Sequence, residues 1–182
     1  VIRNFVGIQT LGATSMPAFG TTLVGPSSLA TDRHTRNTQP SSQDSLSLIP
    51  VTSAAGFRIG DRVLVAPKAN YKFGGQQDQG FIQQIDFVNN IVTVQGLLRA
   101  HANAEYLVLN EDAIQVIIST LSAANPLYVG NQSTVAAGDG SVFDVLNQPS
   151  GNKHQSGPGA KTGEYWIAGT AADQFVSYFI CL

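Results

Sequence analysis

Three histidines, His34, His101 and His154, are the side chains best suited to hold a metal or move a proton near neutral pH. They lie in separate segments, and none forms a spaced ligand set with cysteines, so no zinc site is expected. His101, within Arg99-Ala100-His101-Ala102, reads as part of a polar turn. The run Gly157-Pro158-Gly159-Ala160-Lys161-Thr162 has a faint outline of a phosphate loop. It fails because Ala160 precedes the lysine where glycine is required, and no glycine stands five residues before that position. Gly138-Asp139-Gly140-Ser141 lacks the glycines two before and two after the serine that a nucleophile elbow needs, and reads as a turn. Glu111 and Asp112 are sequence neighbours, which suits a solvated corner better than two acids flanking a glycosidic bond. Asn131-Gln132-Ser133 matches a glycosylation sequon, a signal that matters only in a secretory setting. The single cysteine, Cys181, has no partner for an internal disulfide and reads as a small buried residue near the end of a last strand. No catalytic residue, cofactor or metal is assigned, and the chain reads as something other than an enzyme.

Composition narrows the classes further. Charged residues make up 12% of the 182, against roughly 25% in an average soluble protein. Ten Lys and Arg stand against twelve Asp and Glu, a formal net charge of -2. Neutral polarity replaces the missing charge, with about 50 Ser, Thr, Asn and Gln residues. A nucleic-acid binder shows a basic stripe, because phosphate neutralisation supplies most of its affinity; none is visible here, so no direct nucleic-acid partner is expected. No apolar run approaches the roughly 20 residues that span a bilayer, and no membrane partner is expected. Residues 1–5 lack a cationic stretch leading into an apolar core, so they do not read as an intact signal peptide. The length allows one domain or two small ones and a core that needs no disulfide.

The elements that must position any site read as strands. Residues 1–47 are rich in Ser, Thr, Gly and Pro, and residues 31–44 hold almost no apolar side chain, so this region is expected to be an extended arm or loop. Residues 48–112 read as a β-domain. Leu46 and Leu48 alternate with outward positions. Residues 57–65 alternate into a turn at Gly60-Asp61, with Asp61 as a turn residue, and then into a strand carrying Val63 and Val65 on one face. Asn89-Asn90 predicts a two-residue hairpin turn that opposes Val88 to Ile91, Phe87 to Val92, Asp86 to Thr93 and Ile85 to Val94. That register sorts Phe87, Val92, Ile85 and Val94 to one face. Residues 70–79 form a polar loop with exposed-looking aromatics, and residues 106–109 a further strand. Residues 113–182 read as a second β-domain. Residues 114–121 carry a helical stripe of Ala113, Val116, Ile117, Thr120 and Leu121, but β-branched enrichment favours a strand. Short strands follow at 127–129, from Ser133 and at 142–146, then a long exposed loop over 147–163, and a closing hairpin over 164–180. The fold class expected is all-β: an antiparallel sandwich or barrel, jelly-roll-like, as two small β-domains with an extended N-terminal arm.

Two phrases carry a resemblance. Ser53-Ala54-Ala55-Gly56-Phe57-Arg58-Ile59-Gly60-Asp61-Arg62-Val63-Leu64-Val65, followed by Gly80-Phe81 and Asn89-Asn90, resembles a β-domain of tailed-bacteriophage virion proteins. Pro126-Leu127-Tyr128-Val129-Gly130-Asn131-Gln132-Ser133-Thr134-Val135, a long loop and then Gly163-Glu164-Tyr165-Trp166-Ile167-Ala168-Gly169-Thr170-Ala171-Ala172-Asp173 is similar to the C-terminal β-domains of phage capsid decoration (cement) proteins and head fibres. The resemblance covers about two-thirds of the chain, and residues 1–47 match no family. It implies a virion structural protein on the outer capsid surface, present in the host cytoplasm during assembly. Its partners would be the major capsid protein and copies of itself, as dimer or trimer. Contact roles are expected of Phe5, Phe19, Arg33, Arg36, Tyr71 and Phe73, with core packing the alternative for the aromatics and solvated surface for the arginines. Two further readings stay open: a tail, collar or receptor-binding fibre component, and a carbohydrate-binding sandwich with Tyr128, Tyr165 and Trp166 as its platform.

Overall fold

The computed structural model describes residues 1–11, 15–23, 46–66, 78–98, 101, 105–121, 125–137, 140–146, 153–170 and 173–181. Among these, all regular structure is antiparallel β apart from one 3-10 turn, Thr162–Glu164. No helix is long and apolar enough to cross a membrane among the described residues. The chain forms two compact units, one of residues 1–19, 69–73 and 111–182, the other of residues 20–68 and 74–110. The all-β antiparallel class expected from the sequence is what the described strands form.

The first unit carries β1 (Ile2–Asn4), β2 (Gln9–Thr10), β3 (Met16–Pro17), β10 (Asp112–Ala113), β11 (Gln115–Thr120), β12 (Leu127–Gly130), β13 (Val142–Leu146), β14 (Lys153–Gln155), β15 (Ala160–Lys161), β16 (Trp166–Gly169) and β17 (Gln174–Ile180). One sheet runs β1-β17-β11-β14, with β2 also on β17; another runs β13-β12-β16-β3; β10 and β15 make a short ribbon. The β-branched run at 115–120 is a strand, and its alternation buries Val116, Ile118 and Thr120. Phe19, Phe175, Phe179 and Trp166 fill the core, all at 1% exposure or less. Three expectations are corrected here. Residues 1–11 and 15–19 are not an arm, because β1, β2 and β3 add to sheet edges and Phe5, Leu11 and Phe19 are buried. The segment 147–163 is not loop throughout, since β14 pairs with β11 and β15 with β10. Trp166–Gly169 and Gln174–Ile180 do not pair as a hairpin: β16 lies between β12 and β3, whereas β17 lies between β1 and β11. The link between them passes the chain from one sheet to another, because each strand finds its partners far away in sequence.

The second unit is one six-stranded sheet. It carries β4 (Gly20–Thr22), β5 (Leu46–Pro50), β6 (Arg62–Ala66), β7 (Asp78–Asp86), β8 (Ile91–Gln95) and β9 (Tyr106–Leu109), in the order β4-β9-β6-β7-β8-β5. A bridge between Leu23 and Val51 links the segments that follow its two edge strands, which curls the sheet toward a barrel. β6 and β9 are central, so Val63 to Val65 and Leu107 to Leu109 are buried on both faces. Asp61 is the turn residue expected, its Oδ2 accepting the Arg58 N–H at 2.7 Å. In β5 the buried positions are Ser47 and Ile49, so Leu46 and Leu48 face the other way from the core. β4 also corrects the arm expected over residues 1–47, at residues 20–22.

The hairpin register is shifted from the expected one. Asp86 opposes Ile91, Ile85 opposes Val92 and Gln84 opposes Thr93, and a bulge then brings Ile82 opposite Val94. Asp86 Oδ1 accepts the N–H groups of Val88 and Asn89, each at 3.0 Å, and its Oδ2 accepts Asn89 Nδ2 at 2.7 Å. These bonds end β7 at Asp86 and make residues 87–90 the turn, with Asn90 left-handed at φ 51°. They also hold the Asp86 carboxyl below the usual carboxylate range, the Asn89 side-chain bond most of all. Phe87 and Val88 leave the strand and stand in solvent.

Gly80 sits on β7 with no room for a side chain against β8. A Cβ there would meet the Gln95 carbonyl oxygen and Val94 Cγ1, each at 2.5 Å. Gly80→Ala is expected to cost about 1–3 kcal/mol, read as a fall in the urea midpoint at unchanged slope. An unchanged midpoint would show that the ribbon shifts freely.

Candidate functional site

The second unit turns several large apolar side chains outward among polar ones. Leu48, Ile59, Ile85 and Ile91, with Gln84, Asp86 and Thr93, line a shallow cavity of about 410 Å³ on the β7-β8-β5 side. Ile59 is 68% exposed and Val88, beside it in kind at the hairpin turn, 90%. Phe81 and Leu98, both exposed, line a second cavity of about 590 Å³ with Arg62, Gln79, Gly80, Gln95 and Gly96. The strand period explains the first surface: Ser47 and Ile49 take the inward positions, which leaves Leu48 outside. Scattered exposed apolar residues are ordinary, but grouped ones mark contact surfaces. In the first unit, Val1, Ile2 and Ile8 are also well exposed, before, on and after strand β1 at the sheet edge.

A histidine cluster lies within the second unit. His101, expected in a polar turn, is instead 7% exposed and clasped by two carboxylates. Its Nε2 lies 2.9 Å from Asp78 Oδ2 and its Nδ1 2.8 Å from Glu105 Oε2. Asp78 opens β7 and also accepts the Leu98 N–H with both oxygens, at 3.0 and 2.8 Å. Glu105 stands immediately before β9. A carboxylate at each ring nitrogen favours the protonated ring, in which both nitrogens donate. In that form neither nitrogen offers a lone pair to a metal or a base, and the ring clasps the two acids together. No group of three or more His, Cys, Asp or Glu arranged to hold a metal occurs among the described residues.

Burial works to lower the pKa of His101, but the hydrogen bonds and charges of Asp78 and Glu105 outweigh it and raise the pKa above 6.5. A raised folded-state value means that the clasp's contribution to stability is complete below the unfolded value, near 6.5, and is lost as pH rises through the folded value. Urea midpoints followed upward from pH 6 are therefore expected to fall, and His101→Gln is expected to remove that part of the slope. An identical slope in His101→Gln would contradict the cationic clasp.

Several residues singled out in the sequence land elsewhere. Phe5 and Phe19 are buried at 2% and 0%, with centroids 6.0 Å apart in an edge-to-face pair, and Phe19 also meets Phe179 at 5.8 Å. The structure places both in the core of the first unit, which corrects the contact role expected of them. Arg33, Arg36, Tyr71, Phe73 and His34 lie outside the described residues. Tyr128, Tyr165 and Trp166 form no shared platform, since Trp166 is wholly buried and Tyr165 nearly so. Cys181 is half-buried, just past the end of β17. Asp112 at the expected corner pairs with Lys161 at 3.4 Å on the surface. The His101 cluster left no trace in the sequence, because Asp78 lies 23 residues from it; the His101–Glu105 spacing of four is a helical signal in a region read as strand and turn.

No family model matches the chain. No curated protein matches it. Among solved structures it is similar to VP17, a capsid protein of bacteriophage P23-77, at 10% identity over 98% of this chain and 77% of that one, with a TM-score of 0.22. A likeness at that score carries no argument, and the chain's own residues must supply it.

Proposed function

We propose that this chain is a structural protein of a bacteriophage virion, one that binds the outer capsid surface and stabilises the shell as a decoration or cement protein. One observation carries the reading: a chain with only 12% charged residues turns grouped large apolar side chains outward, Leu48, Ile59, Phe87 and Val88 among them. Such a surface suits cover by protein neighbours, and the turn-and-strand phrases that resemble phage decoration domains name the neighbour. The partners are the major capsid protein and further copies of this chain, in a dimer or trimer that follows the symmetry of the shell. The role involves no catalytic step and no cofactor.

The test is binding of the purified chain to expanded empty capsids that lack it, together with their resistance to heat. Bound protein and raised capsid stability are expected. Ile59→Asp and Val88→Asp should keep the unfolding midpoint of the isolated chain and weaken capsid binding at least about tenfold, since each places a charge in an apolar contact. Failure to bind, together with capsids just as stable without the protein, would overturn the proposal.

A further inference from the structure

The first unit holds a cavity that the contact role does not use. It measures about 450 Å³ and is lined by Asn131, Phe143, His154, Ser156, Glu164 and Tyr165. Two edge strands supply its walls: β13, which brings Phe143, and β14, which brings His154. Its size falls within the roughly 300–1,000 Å³ typical of small-molecule sites.

Three rings meet there. Phe143 and His154 have centroids 5.1 Å apart, His154 and Tyr165 5.5 Å, and Phe143 and Tyr165 5.9 Å edge to face. Asp144 Oδ2 lies 2.9 Å from His154 Nδ1, which fixes the ring and makes Nδ1 the donor. In the neutral ring Nε2 then carries a lone pair. That atom is buried and has no hydrogen-bond partner among the described residues, a state that native interiors rarely leave in place. Phe143 lies against the imidazole and is itself 47% exposed, so part of its ring faces the opening of the cavity.

The other polar groups are of matching kind. Glu164 brings a carboxylate, of which Oε2 is within 3.5 Å of the Lys161 N–H, and Asn131 an exposed amide. Ser156 Oγ is occupied, accepting the Val116 N–H at 2.7 Å. Burial pushes the Tyr165 hydroxyl above its ordinary pKa, against the bond to Ser156, so it stays protonated. The cavity therefore combines aromatic faces with hydrogen-bond acceptors and one amide. A pyranose offers the complement: apolar C–H faces and a ring of hydroxyls that donate and accept.

We infer that this cavity is a saccharide-binding site, in which a sugar hydroxyl meets His154 Nε2, others meet Glu164 and Asn131, and the sugar ring packs on the exposed face of Phe143. The assignment goes beyond the shell-binding role and stands or falls separately from it, since capsid binding is read with a different assay.

The test uses the full chain. A glycan array is followed by titration with methyl glycosides of glucose, galactose, mannose and N-acetylglucosamine, while the imidazole nitrogens are observed by NMR. At least one glycoside is expected to bind and to shift the His154 Nε2 resonance, leaving His101 unmoved. His154→Gln and Glu164→Gln should each weaken that binding at least tenfold. Asn131→Ala, at an exposed position, serves where those variants fail to fold and should weaken binding severalfold. No binding on the array and no shift with any glycoside overturns the inference. A shift with tetramethylammonium but with no glycoside also overturns it, in favour of an organic cation held by Glu164 and the rings.

Discussion

Replacing His101 by alanine is expected to destabilise the second unit by about 3–5 kcal/mol, the usual cost of breaking a buried ion pair from one side. The magnitude follows from what is left behind. Asp78 is 4% exposed, and the Glu105 side chain is 16% exposed, so neither carboxylate can recover its hydration where it stands. The two acids would face one another without the cation that lies 2.9 and 2.8 Å from them. Asp78 would keep the Leu98 N–H. Amide exchange in β7 and β9 reads the loss where it occurs, because Asp78 opens one strand and Glu105 leads into the other. Removing all three charges together, as Asp78→Asn, His101→Leu and Glu105→Gln, should restore part of the lost stability, since the penalty comes from an unmatched charge rather than from a missing bond. A loss below about 1 kcal/mol in His101→Ala would mean that water reaches the cluster and that the clasp is a surface pair.

Phe19→Ala is expected to cost a comparable amount, about 3–5 kcal/mol, through the cavity it opens in the first unit. The ring is wholly buried and packs edge to face on both Phe5 and Phe179. Its neighbourhood is also polar-locked: Ala18 O accepts from Ser177 Oγ at 2.7 Å, and Gln9 Nε2 donates to that same hydroxyl at 3.1 Å. Collapse around the missing ring is thus restricted, which places the cost high in the range. A contact residue behaves in the opposite way, since truncating it weakens binding and leaves the isolated chain as stable as before. Equilibrium urea unfolding of Phe19→Ala separates the two roles, and an unchanged midpoint would return Phe19 to the surface.

The strands themselves were legible, and their partners were not. Residues 62–66, 106–109, 115–120 and 127–130 announce themselves by β-branched and aromatic runs between turn residues, and each is a strand. Register depends on turn chemistry that a face pattern does not contain. The Asn89-Asn90 pair reads as a two-residue turn, yet the Asp86 carboxylate gathers three donors and ends the strand earlier. The shift is by two residues, so Ile85 exchanges Val94 for Val92 as its partner but keeps its face, and the pattern still looks right. In β5 the larger side chains suggested the wrong inward face; Ser47 is buried and Leu48 is not. Short pairings such as β14 on β11 and β15 on β10 arise from long-range contact, which Gly- and Pro-rich stretches do not advertise. The histidine clasp is hidden for the same reason: its members come together only once β7 and β9 flank β6 in the sheet. Phe5 and Phe19 looked exposed because they sit in a polar, turn-rich stretch, but that stretch supplies edge strands whose few large rings are what the core takes in.

The low charge of the chain has a location. In the second unit it coincides with an outward face of Leu48, Ile59, Ile85 and Ile91 and a turn carrying Phe87 and Val88. The claim that this surface is covered by a capsid is tested most directly by counting. Quantitative mass spectrometry of purified particles, with the major capsid protein as internal standard, gives the copies of this chain per virion. A shell protein is expected on the order of hundreds of copies, in a simple ratio to the capsid protein. Absence from the particle, or a count of only a few tens or fewer, would contradict the shell assignment.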